Sequence, residues 1–205
     1  MIEILVGPKG HSIIKRNGRL LASRFDPWSE AEQWLVKRHA LLASVKTIFV
    51  LGLGSGYHVA RLEQKTESRI VVVEPDVELI AANQKIHSFD RSRVVLESVH
   101  DLRGLRGSDV IRAGVRESFL VLQHPSSQTS HMDFFKEAQA ALLARDWAGV
   151  TWQWQIKGLP DLDSQPRIEA NGDPLTIYDL EQTELVQNCE ERETLILKAL
   201  RELVK

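Results

Sequence analysis

Gly52, Gly54 and Gly56 alternate directly after an apolar run, and Glu74 closes a second apolar run about twenty residues further on. Glycines so spaced leave room for a tight turn, or for a ligand lying across the start of the next helix, where free backbone N–H groups point outward. Ser55 and Tyr57 complete that loop. An acid at the position of Glu74 can accept hydrogen bonds from both hydroxyls of a ribose. Each feature also has a plainer reading: a turn packed for its own sake, and a solvated turn acid ahead of Pro75. The dinucleotide fingerprint G-x-G-x-x-G does not fit. Counted from Gly52 its third glycine falls on Tyr57, and counted from Gly54 it falls on Val59, which argues against NAD and FAD.

Further along, His124 opens the stretch His124-Pro125-Ser126 and could serve as a general base, because an unperturbed imidazole titrates near neutrality; it could equally be a loop histidine with no chemistry. His58 could bond a ligand carboxylate or cap local structure. His124 and His131 lack metal-ligand spacing with a cysteine or paired carboxylates, so no metal site is expected. Neither a Ser/His/Asp arrangement nor a Walker lysine occurs. The single Cys189 excludes an internal disulfide and reads as a small core residue.

The elements that must position these residues follow from hydrophobic periodicity. Thr47–Leu51 is short, β-branched and aromatic, as a strand buried on both faces requires. A crossover helix over 57–65 and a strand over 69–73 complete a βαβ unit. A second crossover helix is expected over 77–87, its inner face carrying Val77, Ile80, Ala81 and Gln84. Strands over 93–96 and 119–122, helices over 109–116 and 134–144, and a fifth strand over 151–156 with Trp152 and Trp154 on one face continue the alternation of a doubly wound sheet.

Before this core, residues 1–6 suit an edge strand, and Asn17-Gly18 between two short apolar segments is a strong hairpin signal. Asp26-Pro27 then starts a helix that should run to about Ser44, with Ala31, Trp34, Leu35, Leu41 and Leu42 inward. After it, 157–173 is rich in turn residues, a second hairpin is expected between 167–170 and 175–178, and 190–205 is an amphipathic helix. The expected organisation is therefore 1–44 hairpin and helix, 45–156 Rossmann-like core, and 157–205 hairpin and helix, forming one compact domain.

With 205 residues, 43% hydrophobic and 26% charged, the chain can bury a sizeable core. A net charge of −2 supplies no general reason to expect a nucleic-acid partner. No apolar run could span a bilayer, and Glu3 and Pro8 interrupt the start where a secretory signal needs an unbroken apolar region, so a cytoplasmic protein is expected. The apolar stripe of the C-terminal helix is expected to pack on its own domain, with a protein partner or a homodimer through that helix as the alternative.

VLGLGSG together with VVVEPD resembles the class I S-adenosylmethionine-dependent methyltransferases. That resemblance implies S-adenosylmethionine or a related adenosyl ligand at Gly52, Gly54, Ser55, Gly56, Tyr57 and Glu74, with Asp101 approaching the adenine. Gly52 stands where those enzymes commonly carry an acid, and His58 where many carry another glycine. Over residues 17–150, NGRLLASRFDPWSEAEQWL, FVLGLGSGYHVARL and IVVVEPDVELI resemble the N-terminal domain of the motility-associated factor proteins, which are flagellin glycosyltransferase-like. The matching positions are Asp26, Pro27, Glu30, Ala31, Glu32 and the loop from Gly52 to His58. The Gly-Pro-Ser-Leu motif of that family's transferase domain does not occur in this sequence, so glycosyl transfer is not implied. Two functions follow as expectations: a methyltransferase-like domain binding an adenosyl ligand, or a non-catalytic interaction module on the same fold.

Overall fold

The computed structural model describes residues 1–36, 38–42, 44–124 and 130–158. The chain divides into two compact units, Met1–Leu143 and Ala144–Lys205. The first opens with a three-stranded antiparallel sheet in the order β1-β2-β3, made of β1 (Ile2–Val6), β2 (Ser12–Arg16) and β3 (Arg19–Leu20). Asn17 and Gly18 take left-handed φ values of 47° and 82°, as the tight turn between β2 and β3 demands.

Helix α1 (Pro27–Val36) starts as its sequence dictates, Asp26 Oδ1 accepting from Ser29 N at 2.9 Å. The single helix expected to reach Ser44 is interrupted after Val36, and a short α2 (His39–Leu42) follows. The Arg38 guanidinium donates to Trp34 O, the carbonyl that would otherwise accept from Arg38 N, and Arg38 N turns to Leu35 O at 2.8 Å. Leu42 is buried; Leu41, expected beside it, is exposed.

The core runs β4 (Thr47–Leu51), α3 (Tyr57–Lys65), β5 (Arg69–Glu74), α4 (Val77–Ile86), β6 (Val94–Ser98), α5 (Leu102–Gly107), α6 (Asp109–Val115), β7 (Phe119–Gln123) and α7 (Met132–Leu142). All four strands are parallel in the order β6-β5-β4-β7. Every residue of β4 is buried, which explains its unbroken apolar run. Ile48, Val50, Ile70 and Val72 pack with Leu35, Val59, Leu62 and Ile80 on one face. On the other, Phe49 meets Phe119 edge to face at 5.5 Å, beside α6. Helices thus cover both faces, the doubly wound arrangement.

Leu51 is in register with Val73 on one side and Gln123 on the other, so β4 and β7 end level and β5 runs one residue further, to Glu74. The chain winds outward from β4 through β5 to β6, then returns to the far side of β4. The turn after β4 therefore lies at the topological switch point, where open α/β sheets bind their ligands.

Two expectations fail on periodicity. Helix α4 buries Leu79, Ile80, Ala82 and Asn83, while Val77, Ala81 and Gln84 face solvent. Asp76, the N-cap, accepts from Glu78 N and Leu79 N and so sets the rotation of the helix. Residues 151–156, expected as a fifth strand, belong to α8 (Trp147–Ile156) in the second unit. Asp146 caps it by accepting from Gly149 N at 2.6 Å, and Trp152, Trp154 and Ile156 are all buried in it. A helix apolar around much of its circumference imitates a strand over six residues. The second hairpin, the C-terminal helix and Cys189 lie outside the described residues, as do Pro125 and Ser126. No helix among the described residues is long and apolar enough to cross a membrane.

Gly114 of α6 lies against β4: a Cβ there would sit 2.7 Å from Phe49 Cζ and 2.8 Å from Thr47 Cγ2. Gly114→Ala should destabilise the protein by about 1–3 kcal/mol although alanine is the better helix former. Urea midpoints would show it; an unchanged or higher midpoint would mean that α6 shifts freely on the sheet.

Candidate functional site

Of the sequence-predicted residues, Gly52, Gly54, Ser55, Gly56, Tyr57 and Glu74 meet at the switch point, together with His58 and His124. Gly52, Gly54 and Gly56 adopt φ values of 95°, 53° and 78°, left-handed conformations that only glycine takes without strain. Gly52 N donates to Val73 O at 3.0 Å, tying the loop to β5. Glu74, at the end of β5, is 1% exposed. Its Oε2 accepts from Leu53 N at 2.9 Å and its Oε1 from Asp76 N at 3.1 Å.

Side chains of the protein itself occupy the space beside the glycines. A Cβ on Gly54 would lie 2.4 Å from the Cε1 atom of His124, and one on Gly56 would lie 2.3 Å from Asn83 Oδ1 and 2.6 Å from the His87 ring. Asn83 Nδ2 donates to Gly54 O at 2.8 Å and to Leu79 O at 3.0 Å. His87 Nε2 donates to Ser55 O at 2.8 Å, and His58 Nε2 to Gly52 O at 3.2 Å. The His58 and His124 rings stack at 3.8 Å, nearly parallel at 5°. His124 follows β7 directly, so the sheet register delivers it onto the loop: His124 N donates to Leu51 O at 3.0 Å.

The N-terminal sheet closes the site from above. Ser55 Oγ accepts from Ile14 N at 3.0 Å, and Tyr57 OH donates to Ser12 O at 2.7 Å. Ile14 and Leu21 pack with Leu79 and Ala82 of α4. Arg16 donates to Asp76 Oδ2 at 2.7 Å and to His131 Nε2 at 3.1 Å, joining β2 to the β5–α4 turn and to the residue that precedes α7. The cavity left between Leu21, Pro27, Ser55, Tyr57, His58 and His124 measures about 10 Å³, room for at most one water. Two larger cavities lie elsewhere. One, of about 510 Å³, is lined by Lys46, Lys65 and Ser68; the other, of about 470 Å³, lies along Gln84–Phe89 and Val94–Leu96 and shares only His87 with the site.

Asp101 is not part of this cluster; it caps α5, its Oδ1 accepting from Gly104 N at 2.7 Å. Asn83, His87 and Arg16 belong to the site although nothing in their spacing announces them. Asn83 is the one that a sequence could have flagged, as a polar residue flanked by Ala82 and Ile80 on the inward side of α4. Among the described residues no group of His, Cys, Asp and Glu converges as metal ligands would. Among the described residues the space beside the glycines, about 10 Å³, is smaller than an adenosyl group needs, since small-molecule sites take roughly 300–1,000 Å³, and Glu74 already holds two amides.

Burial pushes the Glu74 carboxyl up to about 7, against the pull of the Leu53 and Asp76 amides and of Arg16. Burial also pulls His124 down to about 4 and holds His58 well below its ordinary value, with the neighbouring His124 adding to the effect on His58. For Glu74, native protein keeps a proton that the unfolded chain loses above its ordinary pKa of 4.5, so its stabilising contribution is complete below that and fades as pH rises through about 7. For His124 the sense reverses, with stability complete above 6.5 and lost as pH falls through about 4. Glu74→Gln should therefore gain stability relative to the wild type as pH rises from about 4.5 to 7, by on the order of 3 kcal/mol. His124→Gln should show the opposite trend against wild type. Urea midpoints across that range test both; a flat Glu74→Gln difference would mean that the carboxylate stays ionised throughout.

Among solved structures, the chain is similar to spermidine synthase in complex with the transition state analogue AdoDATO. The TM-score is 0.50 at 15% identity, over 77% of this chain and 60% of that one, so the chain spans less than two thirds of that enzyme's length. No family model matches the sequence, and no curated protein matches it. At that identity the likeness concerns architecture alone, and it agrees with the strand order and crossovers described above: the chain has a Rossmann-like fold of the methyltransferase type.

Proposed function

We propose that this chain is a non-catalytic interaction module built on a methyltransferase-type Rossmann fold, with its ligand crevice filled from within. One observation carries the reading: His124, Asn83 and His87 occupy the space beside Gly54 and Gly56, and the remaining cavity is about 10 Å³. The glycines are explained by the side chains that lie on them, and Glu74 by the two amides it holds. The resemblance of the Gly52 to His58 loop and of the Asp26-Pro27 helix start to the N-terminal domain of motility-associated factor proteins supports the same reading. Its partner would then be a protein that modifies glycans or lies at the cell surface.

A second reading keeps S-adenosylmethionine or a related adenosyl ligand at the loop. It is favoured by the fold shared with spermidine synthase, which was crystallised with AdoDATO, and by the position of Glu74 at the end of the second core strand. It requires β1–β3 and His124 to withdraw and Glu74 to release Leu53 N.

Calorimetry and thermal unfolding with S-adenosylmethionine and S-adenosylhomocysteine separate the two. The expected result for the wild type is no heat and no shift, whereas a ligand at a hundred times its dissociation constant would add about 2.7 kcal/mol. Saturable one-to-one binding by the wild type would overturn the interaction-module reading. Binding that appears only in His124→Ala would identify that ring as the plug of a crevice still shaped for the ligand.

A further inference from the structure

We propose that β1 pairs with β1 of a second copy, across a two-fold axis at Ile4, to join two N-terminal sheets into one continuous antiparallel sheet. The inference is independent of what the glycine loop binds.

Among the described residues β1 lies at the edge of its sheet, with β2 on one side only. The hydrogen-bond phase fixes which of its backbone groups are spent. Asn17 N donates to Met1 O at 3.1 Å, and Leu21 N donates to Ile14 O at 2.9 Å. Ile14 therefore turns its C=O to the β3 side, the side on which its N–H reaches Ser55 Oγ, and its neighbours Ile13 and Lys15 turn their N–H and C=O groups towards β1. Their partners across the ladder are Leu5 and Glu3. In an antiparallel pair these directions alternate strictly. The N–H and C=O groups of Ile2, Ile4 and Val6 consequently point away from the sheet.

Those three residues are symmetric about Ile4. An antiparallel copy centred there sets Ile4 opposite Ile4 and Ile2 opposite Val6, every one of them a hydrogen-bonded pair, for about six new main-chain bonds. No register shift or bulge is needed. Ile4 and Val6 are 42% and 71% exposed, so the pairing also covers apolar surface. Glu3, already held by Lys15 at 3.3 Å, falls opposite Leu5 of the copy, so no like charges meet. β1 carries neither lysine nor proline nor bulge to blunt the edge, and its one charge, Glu3, is paired with Lys15. The Ile2, Ile4 and Val6 sequence is thus complementary to itself, which is what a two-fold interface requires.

A five-residue strand pair is a small interface, so a reversible dimer is expected, with a dissociation constant between about 1 µM and 1 mM. Sedimentation equilibrium on the full chain should show the mass rising towards twice the monomer value over that range. Ile4→Pro removes an outward N–H and leaves the β1–β2 ladder intact, and Ile4→Lys sets two like charges face to face at the axis. Both should remain monomeric throughout, with far-UV circular dichroism unchanged. Leu41→Lys, which removes an exposed apolar side chain of α2, should dimerise as the wild type does. A wild type that is monomeric up to about 1 mM, even if some other strand takes the edge, would overturn the proposal. So would a dimer that survives both Ile4 substitutions.

Discussion

A carboxyl group almost sealed from water holds the turn around which this molecule is arranged. Glu74 accepts from Leu53 N and Asp76 N, one amide from the turn after β4 and one from the turn after β5. Burying such a group is costly unless its oxygens are bonded, and the upward pull on its pKa measures how incompletely two amides offset the loss of water. With the loop clamped, its glycines present bare backbone at fixed positions. His124, Asn83 and His87 can then lie directly on that backbone, which no side chain at Gly54 or Gly56 would permit.

The N-terminal sheet depends on the same clamp. Its polar attachments, Ile14 N to Ser55 Oγ and Tyr57 OH to Ser12 O, end on loop residues or their immediate neighbours. They fix its register, while Ile14 and Leu21 packing against Leu79 and Ala82 supply buried apolar area. The Arg16 to Asp76 ion pair adds a tie between groups only 16% and 13% exposed, where screening by solvent is weak. A sheet that appears from the sequence as an appendage is thus part of the site's wall.

Much of the fold was legible because its signals are local. The Asn17-Gly18 turn, the Asp26-Pro27 helix start and the buried strand Thr47–Leu51 each follow from a few adjacent residues whose backbone requirements are strong. The break after Val36 was not legible, since it turns on the Arg38 guanidinium reaching Trp34 O. Nor was α8, whose tryptophans are buried on more than one side and so lose helical periodicity. At the site, the left-handed glycines and the location of Glu74 could be read from spacing, but what they touch could not. His124 is delivered by the register of β7 against β4, and Asn83 by the rotation of α4, which the Asp76 cap sets; both are tertiary facts.

The contact between Gly54 and His124 has a consequence for how this sequence can vary. Gly54 cannot acquire a side chain while the His124 ring lies 2.4 Å from where its Cβ would be, and a smaller residue at 124 leaves a void over bare backbone. Asn83 and His87 lie over Gly56 in the same way, within 2.6 Å of where its Cβ would be. Neither member of such a pair can drift alone, so their substitutions are epistatic and the loop is locked by its own occupants.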